Sequence, residues 1–147
     1  MRVGRLRHRV LSILAVAITF AAAVATAPAA HAKSPYEVSD AELKVICAAF
    51  MGAFSDSRTG YACRLSNSNI DCLAATQSCK YQTEKEMPGP FADNCNTVRG
   101  AKFSVIDPTT FACESGDWTV LTSCPDGTTP PDEDCDVGAT FSEPPVR

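Results

Sequence analysis

Eight cysteines constrain this chain more than any other feature. They are Cys47, Cys63, Cys72, Cys79, Cys95, Cys113, Cys124 and Cys135. The number is even, and none of them forms a C-x-x-C pair. Cysteine zinc sites need such close spacings, usually with histidine, and a thioredoxin-like redox site needs C-x-x-C. Neither is present, so the expected state is four disulfides, with the pairing left open.

Disulfides require an oxidising compartment, and the first 32 residues point to one. Arg2, Arg5, Arg7, His8 and Arg9 form a basic start, an apolar run follows, and Ala30-His31-Ala32 closes it as an A-x-A site. That is the layout of a cleavable export signal, residues 1–32. An uncleaved anchor is the rival reading, since residues 10–32 carry no formal charge. Cleavage leaves no membrane span. The expected location is secreted, periplasmic or cell-envelope.

Removing the leader changes the arithmetic. It holds four of the 13 basic residues, both histidines and none of the 17 acids. The remaining 115 residues carry nine basic and 17 acidic side chains, a formal charge of −8. Leu, Ile, Val and Phe make up only 20 of them, about 17%, below the roughly 20% at which a charged chain struggles to fold. Cross-links are expected to compensate for that thin core, at about 2–4 kcal/mol each.

The clearest element is a helix over residues 39–54. Ser39 and Glu42 make a capping box, with Val38 and Leu43 at the staple positions. Leu43, Ile46, Cys47, Phe50 and Phe54 fall on one face. Tyr61, Cys63 and Leu65, then Ile70 and Cys72, read as a hairpin around residues 66–69, with Cys63 opposite Cys72. Residues 73–85 look weakly helical, and Met87-Pro88-Gly89-Pro90 looks like a loop. Ala101, Phe103 and Val105 alternate as a strand. Residues 111–114 and 118–124 form a second hairpin around Ser115-Gly116-Asp117. Residues 125–147 read as an acidic, Pro-rich tail pinned at most by Cys135. The fold class expected is therefore α+β: a disulfide-rich domain over residues 33–124, with an N-terminal helix followed by two β-hairpins.

The cysteines also fall into two groups of four, with steps of 16, 9 and 7 and then 18, 11 and 11. Tyr61-Ala62-Cys63 and Phe111-Ala112-Cys113 start similar segments. Two related four-cysteine units fit this pattern, and pairing across the groups would argue against them.

Both histidines leave with the leader, so the exported chain lacks an imidazole base or ligand. This excludes Ser-His-Asp and Cys-His hydrolysis and H-E-x-x-H metalloproteases. A carboxylate pair of the glycosidase kind remains, drawn from Glu37, Glu42, Asp71, Glu84, Glu86, Asp93, Glu114 and Asp117. The acidic balance, with basic residues dispersed, disfavours nucleic acid.

Two short resemblances stand out. Asp132, Asp134, Asp136 and Glu143 occupy positions 1, 3, 5 and 12 of a segment that resembles an EF-hand loop, which implies weak calcium binding. It departs from the pattern at position 6, where Val137 replaces glycine, and prolines bracket it. Cys113-Glu114-Ser115-Gly116-Asp117-Trp118 through Cys124 resembles the end of a sushi module. The preceding cysteines do not complete that module's frame, so the segment reads as a Cys-Gly-Trp hairpin. Trp118 is then a core anchor first and a binding platform second. The expected function is non-catalytic binding of an extracytoplasmic protein or surface component, as an inhibitor, envelope-associated factor or effector. The alternative is a small histidine-free hydrolase using two carboxylates.

Overall fold

The computed structural model describes residues 34–125 and 134–146, so the segment expected to be an export leader, residues 1–32, lies outside the described residues. Helix α1 spans Asp40–Ala49. Its capping box forms as expected: the Glu42 N–H donates to Ser39 Oγ at 3.3 Å, and the Ser39 N–H donates to Glu42 Oε2 at 2.7 Å. Leu43, Ile46 and Cys47 are buried.

The helix ends sooner than the sequence periodicity suggests. The Gly52 N–H donates to the Cys47 carbonyl at 2.8 Å and the Met51 N–H to Ala48 at 3.1 Å, a Schellman ending. Met51 takes the left-handed conformation, with φ 56. Gly52 follows because an added Cβ would lie 2.6 Å from Cys63 Sγ and 2.6 Å from Leu65 Cδ2. Phe54, at a helical interval, therefore belongs to strand β1, Ala53–Asp56.

The remaining elements are β2 (Gly60–Arg64), β3 (Asn69–Leu73), β4 (Cys79–Gln82), α2 (Gly89–Thr97), β5 (Lys102–Asp107), β6 (Thr110–Glu114), β7 (Trp118–Ser123) and β8 (Cys135–Phe141). All eight strands join one antiparallel sheet in the order β1-β2-β3-β4-β8-β7-β6-β5. The architecture is thus dominated by the sheet, beyond the helix and two hairpins expected. Three expectations fail for identifiable reasons. Residues 79–82 are strand because Cys79 and Tyr81 point inward while Lys80 points out. The Pro-Gly-Pro segment starts α2, where proline in the first turn has no N–H to lose. The segment read as a tail supplies β8, because Cys135, Val137 and Ala139 alternate on the buried face.

The first hairpin keeps its four-residue loop but shifts by one residue, so Cys63 faces Ile70 and Tyr61 faces Cys72. Slipping the loop by one moves the cross-strand pairing by two, which preserves the inward face. Cys63 is then free to bond Cys47 on α1, and Cys72 bonds Cys79 on β4.

The second half repeats the first. Cys95 on α2 bonds Cys113 on β6, and Cys124 after β7 bonds Cys135 on β8. Each half is a helix followed by four meandering strands, and no disulfide crosses between them. The row Phe54–Cys63–Ile70 across β1–β3 recurs as Phe103–Cys113–Val120 across β5–β7. The palindromic strand order gives the halves an approximate two-fold relation about the β4–β8 ladder.

One row breaks the repeat. Tyr61–Cys72–Cys79 is matched by Phe111–Thr122–Val137. The second cross-strand disulfide has moved two residues along, to Cys124 and Cys135. Thr122 is fully buried there, and its hydroxyl has no hydrogen-bond partner among the described residues. An unpaired buried hydroxyl costs about 1–3 kcal/mol. Thr122→Val is expected to stabilise the fold by about 1 kcal/mol and raise Tm by about 4 °C. A lower Tm in a calorimetric melt would show that the hydroxyl is satisfied.

Both helices cover the inner face. Phe50 packs edge-on to Phe91 of α2 and to Trp118, with centroids at 6.4 and 5.9 Å, and Phe91 meets Tyr81 at 5.7 Å. The other face is crossed at one place by residues 34–38. The Pro35 carbonyl lies against Gly138, and Glu37 bridges to Ser78. Val38 then turns inward, donating its N–H to Gln77 at 2.9 Å. Its own carbonyl accepts a hydrogen bond from the Tyr61 hydroxyl.

Two tyrosines are pushed up to about 12. For Tyr61 the cause is burial, then the nearby Asp40 and Glu42 charges. For Tyr81 it is burial, partly offset by hydrogen bonds from its neighbours. Both folded values lie above the unfolded value near 10. Their contribution to stability is therefore complete below about pH 10 and is lost as pH rises toward about 12. Denaturant midpoints are expected to fall across that window, tracking phenolate absorbance. Replacing Tyr61 with Phe should flatten the fall.

Candidate functional site

A cavity of about 600 Å³ opens at the end of the sheet where β2 turns into β3. Leu65, Ser66, Asn67, Ser68 and Asn69 form one wall. Gln82, Thr83, Glu84 and Lys85 form the other, and Asp134 closes it at the start of β8. The site therefore straddles the two halves of the sheet.

Its floor is a buried polar network. Asn94 on α2 is 3% exposed and donates through Nδ2 to Ser68 Oγ at 2.9 Å and to the Tyr81 hydroxyl at 2.8 Å. Ser68 Oγ donates to Asn67 Oδ1 at 3.0 Å, and Thr83 Oγ1 donates to the Asn67 carbonyl at 3.3 Å. Gln82 Nε2 donates to Asp134 Oδ2 at 3.2 Å. The β2–β3 turn is thus fixed from beneath by a helix side chain, and the rim is fixed from the side. This mounting limits rotamer freedom, which lowers the entropy lost on binding.

The lining carries amides that both donate and accept, three hydroxyls, one ammonium and two carboxylates. Cations do not dominate it, so it is poorly suited to phosphate or another anion. A smaller cavity of about 400 Å³ lies over β1–β3, with the Arg64–Asp71 ion pair, 2.9 Å, among its lining residues.

The residues singled out in the sequence are distributed as follows. All eight cysteines are paired and buried. Trp118 is 6% exposed in the aromatic core, a core anchor. Cys113 and Cys124, the ends of the sushi-like segment, each bond elsewhere. Among the described residues, the calcium candidates do not converge. Asp132 lies outside the described residues. Asp136 pairs with Lys80 at 2.6 Å, and Glu143 lies beyond the far end of β8. An extended strand through the middle of the segment cannot wrap an ion as the looped pattern does.

Among the acids, Glu42 caps α1 and Asp71 pairs with Arg64. Glu84 is the one member of the carboxylate list that lines the large cavity, where it is joined by Asp134. Sequence reading missed Asn67, Asn69, Gln82 and Asn94. The run Ser66-Asn67-Ser68-Asn69 looked like turn chemistry alone. Asn94, three residues after Phe91 on a buried stripe, was the signal available.

No family model matches this chain, no curated protein matches it, and no solved structure matches it. Among the described residues, no helix is long and apolar enough to cross a membrane.

Proposed function

We propose that this is an exported, non-catalytic binding protein, and that the cavity between the β2–β3 turn and residues 82–85 takes an uncharged, hydroxyl-rich surface component such as an oligosaccharide. The cavity lining carries this reading: a set of amide, hydroxyl and carboxylate groups, with Ser68 of the β2–β3 turn held by Asn94, that can hydrogen-bond a polyol without demanding charge. The four disulfides fit an oxidising compartment outside the cytoplasm.

The test is calorimetric titration with a panel of neutral oligosaccharides. Asn69→Ala removes one amide from the wall, and its side chain makes no hydrogen bond in the free protein among the described residues. It is expected to weaken binding about tenfold, the worth of one good hydrogen bond. Equal affinity in the variant, or failure of the whole panel to bind, would overturn the reading.

Glu84 and Asp134 on the same cavity favour one alternative, a carboxylate-pair glycosidase. It predicts that a bound oligosaccharide is cleaved over time, and that Glu84→Gln stops cleavage while preserving binding.

A further inference from the structure

The four cross-links divide the chain into two covalently closed halves. Cys47–Cys63 and Cys72–Cys79 lie in one; Cys95–Cys113 and Cys124–Cys135 lie in the other. The seam between them has the shortest ladder of the sheet. Strands β4 and β8 share three residue pairs, against four to six in every other ladder. The inter-half packing of Phe50, Tyr81 and Phe91 is non-covalent.

The seam is selective. On its outer face Lys80 of β4 stands opposite Asp136 of β8, with Nζ to Oδ1 at 2.6 Å. A two-fold pairing of β4 with another β4 would juxtapose lysines, and β8 with β8 would juxtapose aspartates. The charges therefore direct β4 to β8 without requiring both strands to come from one chain. The halves are joined by residues 83–88, in which Glu84, Lys85 and Glu86 are exposed and Met87 is buried, and whose six residues reach about 20 Å when extended.

We propose that the seam is exchangeable, and that two copies of this chain form a dimer in which β4 of each copy pairs with β8 of the other. Every disulfide, both helix-to-sheet packings and the Arg64–Asp71 and Lys80–Asp136 ion pairs are retained, and only residues 83–88 change course. The exchange also redistributes the cavity. Asp134 comes from one copy and residues 65–69 and Gln82 from the other, while Thr83, Glu84 and Lys85 belong to the segment that changes course. This follows from the seam and the disulfide pattern, and stands whatever the cavity binds.

Charge reversal tests exchange directly. Lys80→Asp places a carboxylate opposite Asp136 within one chain, and Asp136→Lys places an ammonium opposite Lys80. In an exchanged heterodimer of the two variants, both seams regain opposite charges. Each variant, and their equimolar mixture, is taken through denaturant without reductant, returned to buffer at high concentration, and sized by light scattering with mass-tagged chains. The expected result is a heterodimer several-fold in excess of either homodimer, with the excess lost at high salt.

A mixture that yields only monomers, or dimers at statistical proportions, overturns the proposal. The unaltered protein provides a second measurement should either variant misfold. After the same treatment it is expected to give a dimer that persists on dilution and runs as single chains on a non-reducing denaturing gel. Monomer alone at every concentration would count against exchange.

Discussion

With its disulfides reduced, the chain is expected to lose its cooperative unfolding transition altogether. The four bonds close loops of 16, 7, 18 and 11 residues. By the chain-entropy rule these restrict the unfolded state by about 2–3 kcal/mol each, about 11 kcal/mol together. An ordinary domain has only about 5–15 kcal/mol of net stability. Two of the bonds also anchor the helices that cover the sheet, Cys47–Cys63 for α1 and Cys95–Cys113 for α2.

Kinetic behaviour should differ from the equilibrium result. No cysteine is more than 5% exposed, so mild reductant without denaturant should attack slowly. Reduction in denaturant, followed by dilution into excess reductant, should give no refolding. Circular dichroism melts settle it, with the thiols left uncapped because capped ones would not fit the core. A sigmoidal melt from the reduced chain would show that the hydrophobic core suffices.

The second large effect is expected at Gly138. A Cβ at this position would sit 1.5 Å from the Pro35 carbonyl oxygen and 2.5 Å from its carbon. Neither is the flexible end of a side chain, so residues 34–36 would have to leave the sheet. Gly138→Val is expected to cost about 3 kcal/mol, the upper end for overpacking, and to lower Tm by about 10 °C. A chain beginning at Glu37 separates the cause from a general loss of strand quality. In that background Gly138→Val should cost much less, because the colliding atoms are gone. An equal penalty with and without residues 34–36 would place the damage in β8 itself.

Much of the local structure was legible in sequence. The capping box of Ser39 and Glu42 is a contact between residues three apart, so spacing alone specifies it. The hairpin of β6 and β7 was likewise set by alternation around Ser115-Gly116-Asp117. Elements held by distant partners were not legible. Strand β4 has four residues, and its periodicity gains meaning only between β3 and β8. Strand β8 sits among prolines and acids that resemble a tail, yet three of its side chains complete the core. The cavity was invisible for the same reason, since Asn69, Gln82 and Asp134 meet only after the halves join.

The sequence by itself determined that the apolar core would be thin, that an even set of eight cysteines without close metal-type spacings would supplement it, and that both histidines fall within the first 32 residues. Those follow from counts and order, which do not depend on folding. Only the tertiary structure decided the pairing of the cysteines, the repeat of one helix and four strands, and the selective seam between Lys80 and Asp136. Those depend on which strands lie side by side, and antiparallel neighbours are chosen by packing across the whole sheet.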